Sequence, residues 1–135
     1  MTSTETRSVI VERDIAYPPE KLWRALTQPH LIEEWIGMKS DFKPELDHSF
    51  RFSADWGGVD CQVVEVEKHK TLAYKWDAFG LESVVTWTLT PTRTGTHLRM
   101  EQAGFRMDQE QAFQGAGASW PKFITTLETV VAKLD

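Results

Sequence analysis

Cysteine is nearly absent from this chain of 135 residues, and asparagine is missing altogether. The single cysteine, Cys61, has no partner within the chain, so no intramolecular disulfide forms and a reducing compartment suits the sequence. Without asparagine there is no acceptor for N-glycosylation. No apolar run approaches the roughly 18 residues that a membrane-crossing helix requires. The stretch from Met1 to Arg7 is polar, lacks a hydrophobic signal core, and reads as a disordered tail with no export function. Basic residues are in deficit: 15 Lys and Arg against 20 Asp and Glu give a net charge of −5, with a pI near 5.4. Such a chain has no long-range attraction for phosphate backbones, which argues against nucleic acid as a partner. Linkers, repeats and low-complexity blocks are lacking too. The expectation is one cytoplasmic domain over residues 1–135, with neither membrane nor nucleic acid as partner.

Catalytic and cofactor motifs are equally scarce. His30, His48, His69 and His97 are scattered, and none pairs with cysteine or a carboxylate cluster at metal-ligand spacing, so no metal is expected. There is no Gly-x-Ser-x-Gly elbow for a hydrolase of that type. Gly115-Ala116-Gly117 resembles half of a dinucleotide fingerprint, but the third glycine is missing and no parallel βαβ unit precedes it. These small residues are expected to let a helix approach a sheet or to leave room for a ligand, and no cofactor is expected. Cys61 lies on an alternating apolar strand face, the setting of a structural thiol. Asp47-His48, beside Pro44 and Glu45, reads as a solvated turn. No catalytic residue is assigned.

Aromatic residues are what the chain has in abundance, with six tryptophans and seven phenylalanines. Large aromatics bury about 150–250 Å² each, so the interior is rich in flat side chains. A first strand is expected over Ser8–Ala16, with Val9, Val11, Arg13 and Ile15 on one face. Pro18-Pro19 then opens a helix buried through Leu22, Ala25 and Leu26, because proline suits a first helical turn. A second short helix begins near Pro29 and stops at Gly37. Antiparallel strands follow: Ser49–Asp55, Val59–Lys68 with a change of phase at Val64 that marks a bulge, Leu72–Ala78, Val84–Thr90, and a last strand through Leu98, Met100 and Gln102. Phe113, Gly117, Trp120, Ile124, Leu127, Val131 and Leu134 step by three and four and give one face of a long helix, with Pro121 as a start or a kink. The fold class is α+β, a curved antiparallel sheet of about six to seven strands wrapped around a long C-terminal helix.

The run Ala16-Tyr17-Pro18-Pro19-Glu20-Lys21-Leu22-Trp23, followed by Pro29-His30-Leu31 and Trp35, resembles the opening of the START-like (SRPBCC) helix-grip superfamily. Within it the bacterial branch homologous to the activator of the heat-shock-protein-90 ATPase is most similar. Leu72-Ala73-Tyr74-Lys75-Trp76, Val85-Thr86-Trp87-Thr88-Leu89-Thr90-Pro91, Gly95-Thr96, Gly104-Phe105 and Trp120-Pro121-Lys122-Phe123-Ile124 extend the likeness from about Val9 to Leu134. Two positions depart from it. Asp47-His48-Ser49 stands where relatives usually carry a Gly-Gly pair, and Gln102 stands where many have a histidine.

The resemblance implies an internal cavity between sheet and long helix, used for apolar ligands, in a stress-response setting. Residues placed on the inward faces are Trp56, Tyr74, Trp76, Trp87 and Met100 from the strands, and Phe113, Trp120 and Ile124 from the helix. Arg13, Gln102 and the Tyr74 hydroxyl are the polar candidates; a buried arginine without a carboxylate either pairs internally, reaches solvent or awaits an anionic ligand. The cavity is expected between Trp87, Met100 and Trp120. Three functions follow in order: binding of a small apolar or aromatic molecule, a cyclase- or hydrolase-like enzyme in which Tyr74, Gln102 or Arg13 polarises a carbonyl, and a chaperone-ATPase-activating partner protein. Ile10 and Val84, on the outer sheet face, are candidates for a homodimer contact.

Overall fold

The computed structural model describes residues 5–134. Its elements are β1 (Thr6–Ile15), α1 (Pro19–Thr27), α2 (Pro29–Ile36), β2 (Ser49–Ala54), β3 (Gly57–Glu67), β4 (Thr71–Ala78), β5 (Leu81–Pro91), β6 (Thr96–Arg106) and α3 (Glu110–Ala132). The six strands form one antiparallel sheet in the order β1-β6-β5-β4-β3-β2. α3 lies across its concave face, and α1 and α2 close one end; this is the helix-grip arrangement.

Alternation along the strands decides which face is filled. Phe50 and Phe52 of β2, Val59, Cys61 and Val63 of β3, Leu72 and Tyr74 of β4, Val85, Trp87 and Leu89 of β5, and Leu98, Met100 and Gln102 of β6 are all buried. The register slips between Val63 and Glu65, so Val64 turns outward to 38% exposure. That is the bulge expected from the phase change. α1 and α2 each carry proline in the first turn, and α2 ends at Gly37 in the left-handed conformation at φ 78°. Gly95 serves a close approach instead. A Cβ there would collide with the Ile15 carbonyl oxygen and the Tyr17 amide nitrogen. Next to it the Thr96 hydroxyl donates to the Tyr17 carbonyl at 2.7 Å, clamping the β5–β6 turn to the start of α1.

Several boundaries differ from the sequence expectation. β1 begins at Thr6, because Thr6 and Arg7 pair with Arg106 and Phe105. Arg7 also bonds Glu110 at 3.0 Å and stacks over the Phe113 ring at 4.0 Å, which gives two residues of the expected tail a fixed place. Residues 1–4 of that expected tail lie outside the described residues. β2 stops at Ala54, and Asp55-Trp56 make the turn into β3. Trp56 therefore leaves the strand alternation and stands 57% exposed, not inward. α3 runs through Pro121 as one helix. The proline removes the bond to the Gly117 carbonyl, a cost that the buried stripe Trp120, Ile124, Leu127, Val130 and Val131 offsets. Gly115 and Gly117 have open space where a Cβ would go, so neither is there for close helix–sheet approach.

Candidate functional site

A cavity of about 490 Å³ lies between the first half of α3 and the ends of β3, β4, β5 and β6. Its strand wall is Val59, Trp76, Ala78, Leu81, Gln102 and Phe105, and its helix wall is Ala112, Gly115, Ala116, Ser119, Trp120 and Phe123. Met38, Trp56 and Phe79 complete it at the rim. Among the described residues that line it, none is ionisable. The volume falls within the range of small-molecule sites, which are concave, mostly apolar and carry few polar groups.

The cavity exists because α3 is thin where it passes over this end of the sheet. No residue between Glu110 and Ser119 is fully buried, and the small side chains of Ala112, Gly115, Ala116 and Ser119 leave space below the helix. From Trp120 onward the helix carries large side chains that reach the sheet. The Trp120 ring is the boundary. It faces Trp76 at 5.5 Å and Phe123 at 5.5 Å on the cavity side, and Trp87 at 5.7 Å on the core side.

The rim is an exposed aromatic pair. Trp56 on the β2–β3 turn and Phe79 on the β4–β5 turn approach to 6.0 Å, with Phe79 83% exposed. Phe79 and Gly80 form a two-residue hairpin turn, both with positive φ (52° and 83°). That turn type favours Asn-Gly, and a bulky side chain in the left-handed region is strained.

One polar chain crosses the cavity wall. The Trp120 indole N–H donates to Gln102 Oε1 at 2.7 Å. Gln102 Nε2 donates to Ser83 Oγ at 3.0 Å. Ser83 Oγ in turn donates to the Trp76 carbonyl at 2.8 Å. Gln102 and Ser83 are 2% and 4% exposed, so these bonds fix the amide orientation in a dry setting.

The structure brings together Trp56, Trp76, Gln102 and Trp120 of the residues singled out in the sequence. It sends the other six elsewhere. Trp87, Met100 and Ile124 are fully buried in packed core, so the cavity does not lie between Trp87, Met100 and Trp120 but is shifted toward the β4–β5 turn. Tyr74 sits among the rings of Phe42, Phe50 and Phe52, and its hydroxyl accepts from Trp87 Nε1 at 3.0 Å. Burial, the largest cause, pushes its pKa up. Phe113 packs on Phe105 beneath Arg7, beside the cavity and not in its wall. Arg13 does not reach the cavity. Its guanidinium donates to Thr125 Oγ1 at 2.8 Å and pairs with Glu128 at 3.6 Å, tying β1 to α3. Of the three alternatives for this side chain, the structure shows the internal pairing.

Cys61 is buried, and burial followed by the nearby Asp77 and Asp60 charges pushes its thiol up, the opposite of an activated nucleophile. Among the described residues, no three His, Cys, Asp or Glu side chains converge as metal ligands. No helix there is long and apolar enough to cross a membrane. Phe79, Leu81, Met38, Phe105 and Phe123 line the cavity without having been singled out for it. The Phe79-Gly80 pair carries no Asn-Gly signature, and only the hairpin register places it at the rim.

The chain matches a described family. The family model "Activator of Hsp90 ATPase homolog 1-like protein" matches residues 16–132. The chain belongs to that family. Among solved structures, protein MLL2253 from Mesorhizobium loti is 60% identical, with a TM-score of 0.92 over 96% of this chain and 99% of that one. Protein BH1534 from Bacillus halodurans is 24% identical, with a TM-score of 0.82 over 93% and 96% of the two chains. CalU16 from Micromonospora echinospora is 22% identical, with a TM-score of 0.79 over 95% of this chain and 78% of that one. At such identities the last two show the fold alone. No curated protein matches the chain. The family match and the 60% relative place the chain in the START-like superfamily, as the sequence motifs implied.

Proposed function

We propose that this family member binds a small, uncharged, largely apolar molecule in the cavity between the sheet and α3. The observation that carries this reading is the lining: six aromatic rings, one buried amide and no ionisable side chain around about 490 Å³. A charged ligand would lose its hydration there without gaining a counter-ion, at a cost of several kcal/mol. The proposal therefore drops the acidic ligand that Arg13 suggested. Acid–base chemistry on a carbonyl has less support. Arg13, Tyr74 and Gln102 do not meet at one point, and such chemistry needs convergent groups. Chaperone-ATPase activation rests on the family description alone, whereas the cavity belongs to this chain.

The test uses N-phenylnaphthylamine and its sulfonated analogue, anilinonaphthalene sulfonate, as neutral and anionic probes of similar skeleton. The neutral probe should bind with enhanced fluorescence, the sulfonate at least tenfold more weakly. Ala116→Trp, which fills the cavity from α3, should abolish binding. Equal binding of both probes, or unchanged binding by the filled variant, contradicts the reading.

A further inference from the structure

We infer that Gln102 makes the cavity selective for ligands carrying a neutral hydrogen-bond acceptor, such as a ketone or ether oxygen, at the end that enters first. The inference rests on the binding role proposed above and adds a requirement to it. It begins with the orientation of one amide. An indole N–H only donates, so the 2.7 Å contact from Trp120 fixes Oε1 toward the helix. Turning the amide over would set its NH2 against the indole N–H, two donors face to face. Nε2 therefore faces Ser83, whose own proton is committed to the Trp76 carbonyl and whose lone pair is free to accept. Every role in the chain is thus fixed by what each group can do.

A carboxamide has two N–H bonds, and Ser83 takes one. Among the described residues Trp120 and Ser83 are the partners of this amide. The second N–H belongs to a side chain that is 2% exposed and forms part of a wall otherwise built mainly of carbon. A buried donor without an acceptor is penalised, and a ligand oxygen at that point recovers the loss. The acceptor has to be neutral, because no cation lines the cavity to stabilise a carboxylate. Apolar surface supplies affinity, and the amide discriminates between otherwise similar skeletons.

Fluorenone and fluorene provide the test, since they share a flat tricyclic skeleton and differ at one carbonyl. Titrated against the protein by tryptophan fluorescence, fluorenone should bind about five- to tenfold more tightly, the value of one net hydrogen bond to a buried amide. The variant Gln102→His retains one acceptor nitrogen for Trp120 and one N–H for Ser83, and lacks the additional N–H. It should lose the preference, the ratio of fluorenone to fluorene affinity falling from about five- to tenfold to about one. The infrared carbonyl stretch of fluorenone bound to wild type should lie below its value in hydrocarbon solvent, a readout that needs no variant. Equal affinities for both compounds, a preference that survives in Gln102→His, or an unshifted carbonyl stretch each overturn the assignment of Gln102 and leave the cavity reading standing. Binding of neither compound overturns the cavity reading, and this one with it.

Discussion

Trp87 shows how one side chain can organise the interior. It is fully buried, meets Trp35 edge-on at 5.5 Å and Trp120 at 5.7 Å, and bonds Tyr74 through its indole nitrogen. Trp87→Ala should cost about 3–5 kcal/mol, read from chemical denaturation, because removing the indole leaves a cavity among Trp35, Tyr74 and Trp120. Phe79 should behave in the opposite way. Its left-handed backbone is strained and its ring is exposed, so Phe79→Asn should gain about 1 kcal/mol while weakening neutral-probe binding at the rim. A loss of stability, or unchanged probe binding, would contradict its place in the account. His97 offers a test by pH. Glu12 at 2.9 Å and Asp14 at 2.8 Å raise its pKa above the ordinary 6.5. A raised pKa in the folded state means that the contribution is complete below 6.5 and is lost as pH rises through the folded value. The melting temperature of wild type should therefore exceed that of His97→Gln at acidic pH and converge with it in alkali. Of these residues, Trp87 was legible from strand alternation. For Arg13 the sequence left three fates open, because alternation gives a face and not the α3 partners Thr125 and Glu128 that pair it internally.

At the scale of elements, α3 is two helices in one. From Trp120 it is held by a buried stripe, whereas before Trp120 it spans the cavity on small residues and is exposed at Gly115 and Gly117. Glycine in a helix interior costs about 0.5–1 kcal/mol relative to alanine. A Cβ on Gly117 meets nothing within 4 Å, and this residue does not line the cavity. Gly117→Ala should stabilise the protein by about that amount with probe affinity unchanged, measured by thermal unfolding and titration. Destabilisation would contradict the open space around Gly117. The helix period, the proline starts of α1 and α2 and the bulge in β3 were all legible, since each depends on local pattern. The helical face from Phe113 onward was legible too, whereas Pro121 was left open as a start or a kink, because local pattern does not show the buried stripe that carries the helix through it. Trp56 was misplaced for a related reason. It stands on the β2–β3 turn, beyond the expected strand Ser49–Asp55, where strand alternation no longer sets side-chain direction.

For the whole molecule, the account makes a division of labour along the sheet. The end closed by α1 and α2 is packed solid with Trp35, Trp87, Leu22 and Leu26, and supplies stability. The other end, under the small residues of α3, leaves about 490 Å³ open beside Gln102, the space where we propose that ligand binds. The sequence announced the aromatics and the helix-grip order but not which of them pack and which line space. That outcome depends on where the helix stands off the sheet, which the run Gly115 to Ser119 decides. The most direct measurement is the crystal structure of the protein grown with N-phenylnaphthylamine. The account predicts density for the probe between Trp76, Trp120 and Phe105, beneath Gly115 and Ala116, with the core around Trp87 unchanged. Probe bound only on the outer face of the sheet, or a first half of α3 collapsed onto Gln102 with no space beneath it, would contradict it.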